Sequence, residues 1–277
     1  MKKQTHHRFL VSMALLVLPM IFPLATSAAQ SGRPQRAERE IKVERTMKLR
    51  PQQNSEVIVP EFKALFLSDG SVTLSGKGNA KAGEPVQGFD FEVDLSRGTY
   101  STQRINQAEI ERRDLLEGRP RETEQINRSQ TPPNPDLKAI TPGYYTARVR
   151  VQTKDPAFIV LTETMTRVSW TVSSSGTVTG AQPSSDSCWA ANPSSLNTHW
   201  YVSYCLNGAL YVSAGRVCND NQGEYYNYDF GFDSDITTAS QYVYACGRND
   251  ATYDYNWSHN DGGEGAILIY GSVVLGG

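Results

Sequence analysis

Lysine is absent from this chain after Lys154, and cysteine is absent before Cys188. These two absences divide the chain by composition. Residues 181–277 contain two arginines as their only Lys or Arg cations, against ten acidic residues, whereas residues 30–180 are weakly basic. Binding to nucleic acid requires a basic surface that neutralises phosphates. The acidic C-terminal part therefore argues against a nucleic-acid partner.

Motifs for catalysis and metal binding are also missing. Beyond the first 29 residues the only histidines are His199 and His259. The sequence has neither the H-E-x-x-H motif of zinc proteases nor the G-x-S-x-G motif of serine hydrolases. Ser258, His259 and Asp261 are close in sequence, but a nucleophilic triad is defined by its three-dimensional geometry. A hydrogen-bonded or exposed loop histidine is the favoured interpretation, and no catalytic residue is predicted.

A long apolar run occurs only near the N-terminus, at residues 9–24, between a basic stretch and the small residues 25–29. This order predicts a cleaved signal peptide over 1–29. The run is short for a membrane-spanning helix and contains two prolines. We therefore expect a secreted chain, extracellular or periplasmic, with no transmembrane segment in its mature form.

The four cysteines predict two disulfides, because an exported protein meets an oxidising environment. Three connectivities are possible. Asn207-Gly208 between two alternating runs predicts a type I′ hairpin, in which Cys205 and Cys218 are not opposite each other. Two connectivities remain, which spacing alone does not separate, and the first choice is Cys188–Cys205 with Cys218–Cys246.

Alternation of apolar and polar residues predicts strands through most of the remaining chain. The clearest examples are Gly88–Leu95, Tyr145–Val151 and Val168–Val172. The predicted fold class is mainly β, with two β-sandwich or barrel-like modules, the second stabilised by disulfides. The predicted divisions are a charged flexible linker at 30–55, a first module at 56–180 with a helical or disordered insertion near 103–139, and a second module at 181–277.

Residues 222–235 are the most unusual stretch of the second module, with five aromatic residues and four acidic ones. Because side chains alternate along a strand, the aromatic and polar residues separate into two faces. We expect the first face to fill the core, and it consists of Tyr226, Tyr228, Phe230 and Phe232. We expect the second to lie at the surface, and it includes Tyr225, Asn227, Asp229 and Asp233.

Residues 181–277 hold eleven of the fourteen tyrosines and three of the four tryptophans, beside many Asn, Asp and Gly residues. Aromatic rings that stack on sugars, with amides and carboxylates that bind hydroxyls, are typical of carbohydrate-binding surfaces. The same mixture also suits protein recognition. The predicted ligand contacts are Tyr225, Asn227, Asp229, Asp233, Trp257 and His259.

Calcium is the metal for which the sequence offers suitable oxygen ligands, at Asp229, Asp233 and Asp235. Ordinary turn chemistry of Asn, Asp and Gly explains this cluster more simply. We therefore expect no cofactor, with calcium kept as the alternative.

The favoured hypothesis is a secreted non-catalytic binding protein, whose partner is an extracellular glycan or a surface protein, with carbohydrate as the leading ligand class. One alternative is a secreted hydrolase that uses carboxylates such as Glu224, Asp229 and Glu264, as glycosidases do. The other is a structural component of an envelope or matrix, with only protein partners.

Overall fold

The computed structural model describes residues 41–84, 87–106, 108, 140, 142–155, 159–180, 186–191, 199–213, 215–228, 236–262 and 270–276. The signal peptide predicted for 1–29 and most of the predicted insertion near 103–139 lie outside these residues. The strands are β1 (Val43–Lys48), β2 (Arg50–Pro51), β3 (Lys63–Leu67), β4 (Val72–Lys81), β5 (Gln87–Asp94), β6 (Thr99–Ile105), β7 (Gly143–Lys154), β8 (Val160–Val172), β9 (Val178–Gly180), β10 (Ser187–Ala190), β11 (Trp200–Asn207), β12 (Tyr211–Ser213), β13 (Arg216–Asn227), β14 (Thr237–Gly247), β15 (Thr252–Gly262) and β16 (Tyr270–Gly276).

These strands of the described residues form two sheets of eight. Sheet A has the order β1-β3-β4-β15-β14-β13-β11, and β12 also pairs with β13. Sheet B has the order β10-β8-β7-β16-β5-β6-β2, and β9 also pairs with β8. The described pairs are antiparallel except that of β2 with β6. The mainly β class is confirmed, and no helix among the described residues is long and apolar enough to cross a bilayer.

The hydrophobic core lies between the two sheets, where β8 packs against β13 and β14. The alternation predicted for β5, β7 and β8 is confirmed. Phe89, Phe91, Val149 and Trp170 belong to the core cluster between the sheets. The residues that alternate with them, such as Asp90 and Arg150, lie on the other face of sheet B. The apolar half of each alternating strand therefore faces the opposite sheet, as burial of apolar surface requires.

Strands from both predicted modules lie in both sheets, so the predicted division at residue 180 is not confirmed. In sheet A, β15 pairs with β4, and in sheet B, β16 lies between β7 and β5. Residues Ile41–Gly277 form one compact unit. Part of the predicted linker at 30–55 also belongs to this unit, since β1 pairs with β3.

Both disulfides have the predicted partners, Cys188–Cys205 and Cys218–Cys246. The predicted hairpin at Asn207-Gly208 is nevertheless wrong. Strand β13 is twelve residues long, and β11 and β12 pair one after the other along the same edge of it instead of pairing with each other. Cys205 lies opposite Gly223 in this register. The conclusion that Cys205 and Cys218 do not pair is therefore right, although the register that suggested it is not.

Gly247, at the end of β14, provides the space that Trp170 occupies. A Cβ atom at position 247 would lie 2.3 Å from Cδ2 of Trp170. The Trp170 ring is fully buried, and its Nε1 donates to the carbonyl of Arg248 at 2.8 Å. The absence of a side chain at 247 thus allows the indole to pack against the backbone of the opposite sheet.

We expect Gly247→Ala to lower the free energy of unfolding by about 2 kcal/mol or more, because overpacking a dense core typically costs about 1–3 kcal/mol. Chemical denaturation of the full chain measures this change. Ser240→Ala on the outer face of the same strand is the control and should change stability by less than about 0.5 kcal/mol. Equal stability of the two variants would show that Trp170 is not held against position 247.

Candidate ligand-binding site

The face of β13 that points toward sheet B, its inner face, carries polar side chains that form hydrogen bonds with sheet B. The amide of Asn219 donates to a backbone carbonyl of β8 and to the Asp186 carboxylate, at 3.2 and 2.9 Å. Asn221 donates to backbone carbonyls of β8 and β10, at 2.9 and 3.0 Å. The phenol oxygen of Tyr225 lies 2.8 Å from Oγ1 of Thr164. These partners satisfy the amide donors of Asn219 and Asn221 and the phenol of Tyr225 inside the sandwich.

The buried and exposed faces of residues 222–228 are therefore the opposite of those predicted. Four of the six predicted ligand contacts are buried between the sheets, each at most 2% exposed: Tyr225, Asn227, Trp257 and His259. The predicted core residues Tyr226 and Tyr228 point outward instead, and Tyr228 is 54% exposed. Asp229, Asp233 and Asp235, with Phe230 and Phe232, lie outside the described residues. The prediction failed because it assumed that rings are buried in preference to amides.

His259 is held inside the sandwich and does not form a catalytic triad with its sequence neighbours. Its Nε2 lies 2.8 Å from Oγ1 of Thr153 and 3.2 Å from Oδ1 of Asp261. A triad needs the two ring nitrogens to serve different partners, and Ser258 points to the other face of β15. Within the described residues there is also no group of three or more His, Cys, Asp or Glu side chains that could hold a metal ion.

The outer surface of sheet A is rich in tyrosine, and we call it the tyrosine face. Side chains of directly paired residues lie on the same side of a sheet. Tyr226 pairs with Tyr201, and Glu224 with Tyr204, so both strands place tyrosines on this side. The tyrosine face comprises Tyr201, Tyr204, Tyr211, Tyr226, Tyr228, Tyr242 and Tyr244.

A cleft of about 670 Å³ lies at one end of the tyrosine face. One wall carries Tyr242 and Tyr244 of β14, both half-buried. The floor carries the amides Asn256 of β15 and Asn79 of β4. Flat rings beside amides offer apolar surface and both donors and acceptors in one place. A cleft of this volume is within the usual range of small-ligand sites.

The opposite wall is the segment at Pro60 and Glu61. Glu61 has a φ of 50°, which is uncommon for a residue with a side chain. The backbone nitrogen of Lys77 donates to the Pro60 carbonyl at 3.3 Å. Nζ of Lys77 pairs with the Glu61 carboxylate at 2.8 Å. Strand β4 therefore supports this wall through both its backbone and a side chain.

The charged groups of the cleft have partners of opposite sign. Arg248 contacts both carboxylate oxygens of Asp254, and its Nε donates to Oδ2 at 2.8 Å. Arg216 lies 3.5 Å from the same carboxylate. Glu61 is also paired with a cation, so each of the two carboxylates that line the cleft has a cationic partner.

The phenols of the cleft remain protonated far above neutral pH. Burial and the neighbouring Asp220 carboxylate, to which the phenol is hydrogen bonded, raise the pKa of Tyr242 to about 12. Burial and a hydrogen bond with Tyr211 raise the pKa of Tyr244 further. The hydroxyls of Tyr211 and Tyr244 are 3.3 Å apart. The phenols of Tyr242 and Tyr244 are therefore neutral groups that can donate and accept hydrogen bonds.

The residues of the cleft were not singled out from the sequence as ligand contacts. Lys77 and Asn79 are in the first predicted module and more than 160 residues from Tyr242 in the chain. Pairing of β15 with β4 brings them together. The sequence does show that Tyr242 and Tyr244, two residues apart, lie on the same face of β14. It does not show whether that face is buried or exposed.

We expect Asp220→Asn to lower the pKa of Tyr242 from about 12 toward the ordinary 10.0, because the variant removes a negative charge that favours the neutral phenol. The pKa of Tyr242 is raised on folding, so its contribution to stability is complete below pH 10 and is lost as the pH rises to about 12. The variant should show a smaller alkaline loss. Ultraviolet absorbance of phenolate, with Tyr242→Phe to identify the group, measures the titration. Ionisation of Tyr242 near pH 10 in the wild type would contradict the assignment.

No family model, curated protein or solved structure matches this chain. Function is therefore inferred from the geometry and chemistry of its own side chains.

Proposed function

We propose that this is an exported, non-catalytic protein that binds carbohydrate in the cleft on the tyrosine face. The observation that carries the proposal is the position of Tyr242 and Tyr244 beside Asn79 and Asn256 in one open cleft. A sugar ring presents C–H groups on its faces and hydroxyls at its edge. The phenol rings can stack on the faces while the amides bind the hydroxyls, which combines apolar burial with fixed polar contacts. The two disulfides suit an oxidising compartment.

The carboxylates of the cleft favour binding over hydrolysis. A glycosidase needs one carboxyl group that donates a proton and another that acts as base or nucleophile. Asp254 is held by Arg248, and Glu61 is paired with Lys77. Each carboxylate of the cleft is therefore engaged by a cationic side chain, an arrangement more typical of a structural ion pair than of a catalytic acid and base. Of the carboxylates considered for a hydrolase, Glu224 lies on the tyrosine face away from the cleft, and Asp229 and Glu264 lie outside the described residues.

A glycan array probed with the full chain should show retention on at least one neutral glycan. Tyr244→Ala should weaken that binding by about tenfold or more, equivalent to about 1.4 kcal/mol, since it removes a stacking ring. The matched control is Tyr144→Ala, because Tyr144 is 61% exposed on the outer face of sheet B. The full chain is needed because strands of residues 181–277 pair with strands from the earlier part.

Retention on no glycan would overturn the proposal and favour a protein partner. Equal losses in the Tyr144→Ala and Tyr244→Ala variants would point to a non-specific effect. New reducing ends after incubation with the retained glycan would instead support the hydrolase alternative, and Asp254→Asn would then show whether this carboxylate takes part.

A further inference from the structure

A second group of aromatic side chains lies on the tyrosine face, away from the cleft. The rings of Tyr201 and Tyr226 are stacked, with centroids 5.4 Å apart and planes at 24°. Tyr228 meets Tyr226 edge to face, with centroids 5.0 Å apart. We call these three residues the edge tyrosines. Tyr201 lies on β11, the edge strand of sheet A, and the rings of Tyr226 and Tyr228 pack next to it. Tyr201 and Tyr228 are 40% and 54% exposed.

The register of sheet A gives the distance between the edge tyrosines and the cleft. Tyr242 is directly opposite Gln222, and Tyr226 is four residues farther along β13. At about 3.4 Å per residue, the two aromatic groups are separated by about 14 Å along the strand. This distance is greater than the width of one sugar ring, so a single monosaccharide cannot contact both groups.

The surface between the two groups is polar and suited to hydroxyls. Neighbouring strands place Gln222, Ser240 and Ser258 on it, and all three are half-buried. Glu224 is exposed beside Tyr204, which is 45% exposed. Amide, hydroxyl and carboxylate groups there continue the polar chemistry of the cleft toward the edge tyrosines.

The charges on this surface exclude a polyanionic chain as the preferred occupant. Asp220 and Glu224 point to the tyrosine face. The cations at the cleft are already paired with carboxylates, Lys77 with Glu61, and Arg216 and Arg248 with Asp254. A polymer with a carboxylate or sulfate on each sugar would meet repulsion from these acids. An uncharged chain of sugars meets no such repulsion and can still stack on the rings.

We propose that the tyrosine face binds an extended, uncharged polysaccharide chain, with the cleft at one end and the edge tyrosines as a second subsite. This inference rests on the proposed function and adds the length and charge of the ligand. When a sugar chain is bound at the first subsite, the rest of the chain has a high effective concentration at the second subsite. Two subsites on one sheet therefore bind a chain more tightly than either subsite alone. A long oligosaccharide should therefore bind more tightly than a short one of the same sugar.

The test compares short and long oligomers of uncharged β-linked glucose and of uncharged N-acetylglucosamine by calorimetry with the full chain. The long oligomer of at least one series should bind at least tenfold more tightly than the short one. Tyr201→Ala with Tyr228→Ala should remove most of this length dependence and leave the affinity for the short oligomer within twofold. Tyr144→Ala is the matched control and should alter neither affinity. Both altered tyrosines of the double variant are exposed, and circular dichroism checks that it folds.

The outcomes separate this inference from the proposed function. Binding of short and long oligomers with equal affinity, or an unchanged length dependence in the double variant, would overturn the second subsite and leave the cleft intact. Tighter binding of an anionic polymer such as alginate would overturn the charge argument. Failure of the wild type to bind any of these oligomers would overturn this inference, and failure to bind any glycan of the array as well would overturn the proposed function.

Discussion

The hydrogen bonds from the inner face of β13 to sheet B determine which side chains this strand presents to solvent. Asn219 and Asn221 bind backbone carbonyls of β8 and β10, and Tyr225 reaches Thr164. A shift of β13 by one residue would exchange its inner and outer faces. Asp220, Gln222 and Glu224 would then be buried, and these carbonyls would have no donors. A buried carboxylate without a partner is far more costly than a satisfied amide. Tyr226 and Tyr228 consequently lie outside, and the tyrosine face exists because the polar residues are needed within.

The interleaving of strands makes the candidate site a product of the whole fold. The cleft combines β4 from the first half of the chain with β14 and β15 from the second. Strand β16 lies between β7 and β5, so the last strand completes a sheet that earlier strands begin. The Cys188–Cys205 disulfide joins β10 and β11, the edge strands of sheets B and A on one side of the sandwich. A ligand in the cleft would therefore be held by parts of the chain that are positioned only when the two sheets are assembled.

Some aromatic residues fill the core, and others lie on the outer face of sheet A. The proposed function depends on those at the surface. The rings of Phe62, Phe91 and Trp257 fill the core in mutual contact. The tyrosines on the outer face of sheet A have no comparable structural role among the described contacts. Surface tyrosines that are partly buried against one another are preorganised, which reduces the entropic cost of binding a ligand. This arrangement suits a stacking surface.

The sequence by itself determined the mainly β class, the strands with apolar alternation, the presence of two disulfides and the aromatic character of the C-terminal part. These depend on local periodicity, on residue type or on the even number of cysteines, whereas the pairing of the cysteines is seen only in the structure. Only the tertiary structure decided which face of β13 and β14 is buried, since alternation defines two faces without choosing between them. It also decided that Asn79 and Lys77 meet Tyr242 and Tyr244, because the pairing of β4 with β15 depends on the packing of two complete sheets. The tyrosine-rich stretch thus indicated the chemistry of the proposed ligand, and the opposite sheet decided which tyrosines remain at the surface.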